Sequence, residues 1–358
     1  MSNKATEIIK PENSGIFRVV TLYVGQGDST IMAVPDGDDY KFVLIDSNND
    51  AENGGIDLIS LLKDLLGDEG ELDLYINTHP HKDHLAKVKQ IYDEIGIKQL
   101  WHSGHKPAGD HKNSYSDLEY VIGQLGDDNV YCLRGTREEN QVDEEEVLLG
   151  DISYNVLAPA DHVSDDVDGE KPEDRYKRIH EQCAVIRFKY GEDEKQILIT
   201  GDADYVAWTN HITDYHSERL ASTVLSAAHH GSNTFFWENT AAEGEPYREH
   251  IDTIDPTYVI VSAPKSSESK HDHPHPEAMD EYIEKVSEEG LLHTGENREC
   301  IIVDIDSAGN IEVRADKELV EEYSNGEEGT NNESGGKVAK AVAPAIIKTR
   351  IDDKPMGQ

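Results

Sequence analysis

The segment over 79–84, His-Pro-His-Lys-Asp-His, constrains this chain more than any other feature of its sequence. It directly follows an apolar run over 72–78 that predicts a strand, and it directly precedes a run over 84–96 with helical spacing. Three imidazoles and one carboxylate stand within six residues, and these side chains are ligand types for zinc, manganese or iron. The sequence therefore predicts a metal-binding loop between a strand and a helix.

Short apolar runs separated by Gly, Asp and Asn predict strands along most of the chain. The predicted strands cover 17–25, 29–35, 41–46, 72–78, 129–133, 152–159, 183–191, 196–202, 223–231, 257–264, 299–306 and 311–316. The predicted helices cover 56–67, 84–96, 116–126, 217–220 and 276–290. The acidic run over 161–174 predicts a mobile surface loop. Because the two element types alternate, we expect an α/β fold.

The composition excludes several classes of protein. The chain has 358 residues and is 36% hydrophobic, which is enough for a sizeable core. No apolar run approaches the roughly 20 residues that span a bilayer, and the polar N-terminal residues lack the apolar region of a secretory signal. Three cysteines at irregular spacing match neither a disulfide framework nor a zinc ribbon. These features predict a cytoplasmic protein with no membrane association.

The charge balance limits the partners that this chain can have. Lys and Arg number 33 and Asp and Glu number 73, which gives a formal net charge of −40 at pH 7. A field of that sign repels nucleic acid and anionic membranes at long range. It excludes a general DNA-coating role, but it leaves room for a phosphate substrate held locally at metal ions, because bound cations dominate their own surroundings.

Five further motifs lie along the chain, two before the histidine-rich loop and three after it. They are YVGQGDST at 23–30, FVLIDS at 42–47, LITGDAD at 198–204, AAHHGSNT at 227–234 and HDHPHPEAM at 271–279. Together with the loop, they resemble the metallo-β-lactamase superfamily in its ComEC-like branch, the hydrolase domain of bacterial DNA-uptake proteins and of free-standing relatives. The resemblance implies a four-layer αββα metallo-β-lactamase sandwich over 15–318, after a flexible leader over 1–14 and before an acidic, disordered tail over 319–358.

The resemblance also implies two divalent metal ions, zinc or manganese. His79 and His81 would hold the first ion, Asp83 and His84 would hold the second, and Asp202 would bridge them. A bridging carboxylate makes physical sense, because it screens two cations about 3.5–4 Å apart.

Two of the remaining ligands are ambiguous in the sequence. His180, one hairpin upstream of Asp202, is the candidate third nitrogen ligand of the first ion, although the ComEC-like branch often has an Asn-rich stretch there. His273 is the candidate late ligand of the second ion, and His275 is its alternative, because the histidines alternate with prolines.

The pair His229 and His230 follows a predicted strand and is expected to form a wall of the site. Because adjacent strand residues point to opposite faces, only one ring of the pair need face the metals. The resemblance implies that this segment contacts substrate or donates a proton near the leaving group, with His230 and Asp83 as catalytic residues. His229, His230, Ser232 and Lys265 are the expected substrate-binding residues.

The expected activity is hydrolysis by a metal-bound hydroxide, with a phosphodiesterase or nuclease as the first hypothesis. The acidic surface favours nucleotides or short nucleic acids as substrates over long duplex DNA. One alternative is hydrolysis of a carboxylic ester, thioester or lactam, although the Gly-His-Thr type of turn common in those branches is missing. Another is a non-enzymatic metal-binding module in a larger assembly, docked through the C-terminal tail.

Other candidate residues receive a structural interpretation. His102, His105 and His111 could form a further metal site, but a polar loop over the cleft is the favoured interpretation. Cys183 is interpreted as a small core residue rather than a nucleophile. The glycines over 25–28 predict a tight turn near the metal loop and not a dinucleotide site, because a strand follows them.

Overall fold

Two large mixed β-sheets organise the residues that this computed structural model describes, which are 3–107, 112–193 and 195–324. The strands β1 to β16, in chain order, are Ile16–Thr21, Thr30–Asp36, Asp39–Ile45, Leu74–Asn77, Leu100–His102, Val130–Cys132, Gln141–Val142, Glu145–Glu146, Ser153–Ala158, Val185–Tyr190, Lys195–Ile199, Val224–Ser226, Tyr258–Val261, Leu291–His293, Cys300–Asp306 and Ile311–Asp316. One sheet has the order β16-β15-β1-β2-β3-β4-β5-β6, and the other has the order β14-β13-β12-β11-β10-β9. A small ladder joins β7 and β8.

The helices cover the outer faces of both sheets. In chain order, α1 to α13 are Lys4–Ile9, Leu58–Leu66, Lys82–Leu85, Val88–Glu94, Lys112–Leu125, Asp161–Gly169, Pro172–Tyr176, Tyr205–Ala207, Thr213–Tyr215, Glu249–Ile254, Pro276–Gly290, Thr294–Asn297 and Glu318–Tyr323. A π-helical turn, Trp208–Ile212, joins α8 to α9. Within the described ranges, no helix combines the length and the apolar character needed to cross a bilayer.

The burial of neighbouring residues shows that the molecule has four layers. Val19 on β1 packs between the two sheets, whereas the next residue, Val20, packs against the helices outside the first sheet. In the second sheet, Ile197 on β11 faces the space between the sheets, and Leu198 faces the outer helices. This opposition follows from the period of two in an extended strand. The predicted four-layer αββα sandwich is therefore confirmed.

The parallel part of each sheet places the ends of several strands at one edge. The strands β3, β4, β5 and β6 pair in parallel, and so do β11, β12, β13 and β14. The loops that leave the carboxyl ends of β4, β11 and β12 therefore meet at the same end of the sandwich, which is where ligand sites form in sheets of this kind.

The first described residues form a helix, although the sequence predicted a flexible leader over 1–14. The Asn3 side chain accepts a hydrogen bond from the backbone of Thr6 and caps α1. Ala5 and Ile9 are fully buried against the outer core of the first sheet. The flexible leader was predicted from the polar composition of this segment. The spacing of four residues between Ala5 and Ile9, which places both on one face of a helix, was not taken into account.

Two other predicted boundaries differ from the structure. The acidic run over 161–174 forms α6 and the first part of α7, because Val163 and Val167 lie one turn apart and are buried on one face of α6. The predicted tail was placed from residue 319, but Glu318–Tyr323 forms α13 and buries Leu319 and Tyr323. Residues 325–358 lie outside the described residues.

Replacement of Ile9 by Ala tests the contact of α1 with the core. Because the side chain is fully buried, we expect Ile9→Ala to lower the free energy of unfolding by about 2–5 kcal/mol. Chemical denaturation followed by circular dichroism measures this loss. The control is Glu7→Ala, on the exposed face of the same helix. Equal stability of the two variants would contradict the docking of α1.

Candidate metal centre

The first group of ligand-type side chains lies where the loop after β4 meets the segment before β10. His79, His81, His180 and Asp202 each present an atom within 4.8 Å of the others. The Nδ1 atom of His81 lies 3.0 Å from Nε2 of His79 and 3.2 Å from Nε2 of His180. Nitrogens bound to one tetrahedral zinc ion at 2.0–2.1 Å are separated by about 3.3 Å. The spacing of these rings therefore fits a shared metal ion.

The second group shares Asp202 with the first and adds His84, His230 and Asp28. The Nε2 atoms of His84 and His230 lie 3.3 Å apart. The opposite nitrogens of these two rings have protein partners, because Nδ1 of His84 lies 2.8 Å from Asp46 Oδ2 and Nδ1 of His230 lies 3.0 Å from the Ser262 carbonyl. The two Nε2 atoms are therefore the nitrogens available to a second ion.

The carboxylate of Asp202 stands between the two groups. Its Oδ2 atom lies 3.4 Å from Nε2 of His79 and 3.6 Å from Nε2 of His180. Its Oδ1 atom lies 3.2 Å from Nε2 of His84 and 3.6 Å from Nε2 of His230. Asp202 is 2% exposed, and its Oδ1 atom accepts no hydrogen bond from the residues that the structure describes. A buried carboxylate oxygen in this state fits a cation, because leaving it without a partner costs free energy.

The backbone around Asp202 has little spare room. Gly201 has a φ of +49°, and a Cβ atom there would lie 2.7 Å from Sγ of Cys183 and 2.8 Å from Cβ of Thr78. The backbone N–H of Asp202 donates to Sγ of Cys183 at 3.2 Å. Only glycine permits this turn at the end of β11, and the turn directs the carboxylate into the centre.

His229 and His230 both face Asp202, although the sequence analysis required only one of them to do so. They lie beyond the end of β12 in a turn where both have positive φ angles, +50° and +56°. The alternation of a strand therefore does not apply to them. Nε2 of His229 lies 3.5 Å from Oδ2 of Asp202, and Nδ1 of His229 lies 3.0 Å from Oγ1 of Thr234.

A buried network orients the ring of His84. Asp46, at the end of β3, contacts His84 Nδ1 and also accepts hydrogen bonds from the backbone N–H of Thr78 at 2.8 Å and from its hydroxyl at 2.6 Å. A carboxylate on the far nitrogen of a ligand histidine fixes its tautomer and orientation. Sequence analysis missed this role. A signal was available, because Asp46 directly follows β3, and β3 pairs with β4, the strand that leads to the histidine loop.

The charges of the centre favour an anionic carboxylate among neutral and cationic rings. Burial alone would raise the pKa of Asp202, but His84 and the other surrounding imidazoles hold it well below its usual value. Burial lowers the pKa of His79 to about 3, so this ring is neutral near pH 7 and can act as a ligand. Burial also opposes protonation of His230, yet Asp202 and Asp28 raise its pKa to about 9.

Two carboxylates, Asp28 and Asp83, lie near the histidines of the second group and are both candidates for its remaining ligand position. Asp28 approaches the far side of the rings, with its Oδ1 3.6 Å from Nδ1 of His230 and its Oδ2 3.9 Å from Nδ1 of His84. Asp83 approaches the near side, with its Oδ2 3.7 Å from Nε2 of His230. The sequence analysis assigned no role to Asp28, which lies in the glycine turn predicted to sit near the metal loop.

A cavity of about 1050 Å³ opens above the centre. Its lining includes His81, Asp83, Asp202, His229, His230 and His273, and also Lys82, Lys270 and Arg298. Three of the candidate ligands, His81, Asp202 and His230, therefore face a pocket large enough for a nucleotide-sized molecule.

The other predicted site residues do not belong to the two ligand groups. The His273 ring lies 4.9 Å from the His229 ring and 6.1 Å from the His230 ring, centroid to centroid, and it lines the cavity beside them. Its alternative, His275, accepts a hydrogen bond from the backbone of Asn233 at Nδ1. Among the described residues, Ser232 and Lys265 are not part of the cavity lining.

His102, the last residue of β5, and His105, just after it, are buried and do not form the polar loop predicted over the cleft. His105 Nδ1 lies 2.7 Å from Gln182 Oε1, and His102 Nε2 lies 3.7 Å from Sγ of Cys132. His111 lies outside the described residues. Cys183 is fully buried and supports Asp202, as a core residue would.

Comparison with known proteins yields structural similarity alone. No family model matches this chain, and no curated protein matches it. It is similar to the structure of Igni18, described as a novel metallo hydrolase from the archaeon Ignicoccus hospitalis, with 18% identity and a TM-score of 0.47 over 81% of this chain and 99% of that chain. For a mutant of the CmlA β-hydroxylase, the identity is 14% and the TM-score 0.41 over 79% of this chain and 52% of that chain. For MEM-A1, a subclass B3 metallo-β-lactamase from a soil metagenome library, the identity is 13% and the TM-score 0.34 over 76% of this chain and 93% of that chain. The ComEC-like branch stays a prediction.

Replacement of Asp46 by Asn tests the orientation of His84. We expect Asp46→Asn to weaken zinc binding roughly 10–100-fold, because the ligand ring loses the carboxylate that fixes its tautomer. Competition with a chromogenic chelator measures this affinity. The control is Asp38→Asn, on the exposed hairpin between β2 and β3. Zinc affinities that agree between the two folded variants would rule out the orienting role.

Proposed function

We propose that this protein is a dinuclear metal-dependent hydrolase that cleaves phosphodiesters in nucleotides or short single-stranded nucleic acids. One observation carries the proposal. Asp202 lines a cavity of 1050 Å³ and places one carboxylate oxygen near the histidines of the first ligand group and the other near the histidines of the second. Shared carboxylates of this kind hold two cations close enough to act on one substrate group.

The first ion would be held by His79, His81 and His180, and the second by His84 and His230, with Asp202 between them. When bound, two divalent ions supply a water-derived nucleophile at neutral pH and polarise the bond under attack. The first ion keeps the ligands expected from the sequence. At the second ion, His230 replaces Asp83 and His273, because neither of these two residues belongs to the second group.

The protein side chains supply position and proton transfer. Asp83 is one-third exposed to the cavity, and its Oδ2 lies 3.7 Å from His230 Nε2. It is therefore placed to accept a proton from the attacking water and to orient it. His229 is held by Thr234 and lines the cavity, where it can contact the substrate.

Three cationic side chains in the cavity lining support a phosphate-containing substrate. Lys82, Lys270 and Arg298 line the cavity together with four carboxylates, Asp50, Asp83, Asp202 and Glu268. Arg298 lies 3.3 Å from Glu268, so part of its charge is already compensated. The cations would contact an anionic ester at close range, whereas the net charge of −40 on the whole chain disfavours long duplexes. These features support a short substrate.

A substrate panel tests the activity and its dependence on Asp202. The wild type, Asp202→Asn and the control Asp38→Asn would be incubated with Mn²⁺, Zn²⁺ or Mg²⁺ and one of three substrates: a chromogenic phosphodiester, a labelled oligonucleotide or a chromogenic carboxylic ester. We expect phosphodiester turnover in the wild type and the control. In Asp202→Asn, both turnover and bound metal should be lost, because neither ion keeps its shared anionic ligand.

Other outcomes of the panel would support other functions. Turnover of the carboxylic ester alone would replace the proposed phosphodiester substrate with an ester, thioester or lactam. Tight metal binding with no turnover of any substrate would indicate a metal-binding module without catalytic activity. Full activity in Asp202→Asn would refute the dinuclear assignment.

A comparison of Asp83→Asn with Asp28→Asn assigns the two competing carboxylates. Because Asp83 approaches the near nitrogen of His230, we expect Asp83→Asn to reduce kcat strongly and to shift the pH profile of the reaction. Asp28 approaches the far nitrogens, so Asp28→Asn should weaken metal binding more than it changes the pH profile. Steady-state kinetics across pH and metal quantification measure both effects. The reverse pattern would exchange the two roles.

A further inference from the structure

Tyr176 presents an exposed aromatic ring in the cavity above the metal centre. It is 37% exposed and lines that cavity, whereas the other large apolar side chains that are exposed among the described residues, Tyr120, Leu148 and Tyr215, do not. Tyr23 also lines the cavity, but it is only 1% exposed. Tyr176 is therefore the tyrosine whose ring a molecule in this cavity can reach.

The Tyr176 ring lies next to the first ligand group. Its centroid is 6.2 Å from the centroid of the His81 ring, and the planes of the two rings are tilted by 55°. At this angle the imidazole does not lie flat against the phenol. A group that extends from a substrate bound at the first ion would therefore pass beside Tyr176.

A single turn of the chain connects Tyr176 to a candidate ligand. Tyr176 is the last residue of α7, and its carbonyl accepts a hydrogen bond from the backbone N–H of Ile179 at 3.3 Å. Ile179 is 3% exposed, and His180 follows it directly. The position of the phenol is thus linked to the position of a ring in the first ligand group.

Arg178 holds this turn in place with charged hydrogen bonds. Its Nη1 atom donates to Glu170 at 2.7 Å, and its Nε atom donates to Glu181 at 2.6 Å. Its Nη2 atom also donates to Glu181, at 3.1 Å, so the contact with this carboxylate is bidentate. An aromatic side chain on an anchored turn is pre-organised, which lowers the entropy that a ligand loses in ordering its contact.

The lining of the cavity suits both parts of a nucleotide. Lys82, Lys270 and Arg298 supply positive charge for a phosphate, as described above. The phenol of Tyr176 supplies an aromatic surface for a base, because every nucleobase has a π face that stacks on aromatic side chains. Stacking of this kind is tolerant of base identity, so it distinguishes molecules with a base from molecules without one.

We propose that Tyr176 is a specificity-determining residue that stacks on a nucleobase of the substrate while the adjacent phosphate lies at the metal centre. This inference rests on the proposed function and deepens it, since it narrows the substrate class to phosphodiesters that carry a base beside the scissile phosphate. Phosphodiesters of simple alcohols lack the stacking partner and bind less tightly.

Nucleotide binding without turnover tests the role of Tyr176. Adenosine monophosphate and ribose 5-phosphate share a sugar phosphate, only the first carries a base, and neither contains a phosphodiester. Isothermal titration calorimetry would measure their affinities for the zinc-loaded wild type, Tyr176→Leu and Tyr176→Phe. We expect the wild type to bind adenosine monophosphate roughly tenfold more tightly than ribose 5-phosphate. Tyr176→Leu should lose most of this preference, and Tyr176→Phe should retain it, because phenylalanine keeps the ring.

Tyr120→Leu is the matched control. Tyr120 has a similar exposure, 39%, and lies outside the cavity lining, so this variant should keep the preference of the wild type. An unchanged preference in a folded Tyr176→Leu would overturn the proposal. Equal affinity of the wild type for the two phosphates, or binding of neither, would overturn it as well.

The binding measurement separates this proposal from the proposed hydrolase activity. Phosphodiester turnover, together with an unchanged preference in Tyr176→Leu, would retain the hydrolase and remove the role of Tyr176. A preference that depends on Tyr176, in a protein that turns over no phosphodiester, would retain the base-stacking site and refute the hydrolase.

Discussion

The burial of one carboxylate between two groups of imidazoles is the interaction on which the rest of this molecule depends. Asp202 lies among imidazole rings from the segments that follow β4 and β12 and from the segment before β10. Both sheets must therefore be in place before these rings can surround the carboxylate. A buried anion is costly unless opposite charge or a cation compensates it. The packing of two sheets and the chemistry of the site are therefore parts of one arrangement, in which the apolar core supplies the rigidity and the carboxylate defines the centre.

The histidine loop was the part of the site most open to prediction, because its ligands are close together in the sequence. Its strand, β4, lies within the predicted bounds, and α11 has the predicted bounds. The single helix predicted over 84–96 is instead divided into α3 and α4. His180 was harder, since a ligand that comes alone from an irregular segment has no local pattern. Asp28 and Asp46 were missed because their roles depend on which strands are neighbours in space, and no local spacing reports that.

Two of the errors in the sequence analysis, in α1 and α6, have the same physical cause. Charge and polarity were given more weight than the spacing of a few apolar side chains. In α1 and α6, two small or branched apolar residues one turn apart bury a face of a helix that is otherwise polar. The expectation that only one of His229 and His230 need face the metals rested on a different assumption, which was that both lie on an extended strand. The extended conformation of β12 ends before them, and a left-handed turn follows it. Side-chain direction could not be inferred without knowing where the strand ends.

Hydrogen bonds join the two ends of the described chain, with a consequence for the cavity above the candidate metal centre. The Tyr323 hydroxyl lies 3.3 Å from the backbone nitrogen of Ala5 and 2.7 Å from the Asp64 carboxylate, so α1, α2 and α13 are tied together. Val320 and Ser324, on and just after α13, line the cavity above the metal centre. One wall of that cavity is thus anchored to the first helix of the chain, and an event that loosens α1 would be transmitted mechanically to the mouth of the cleft.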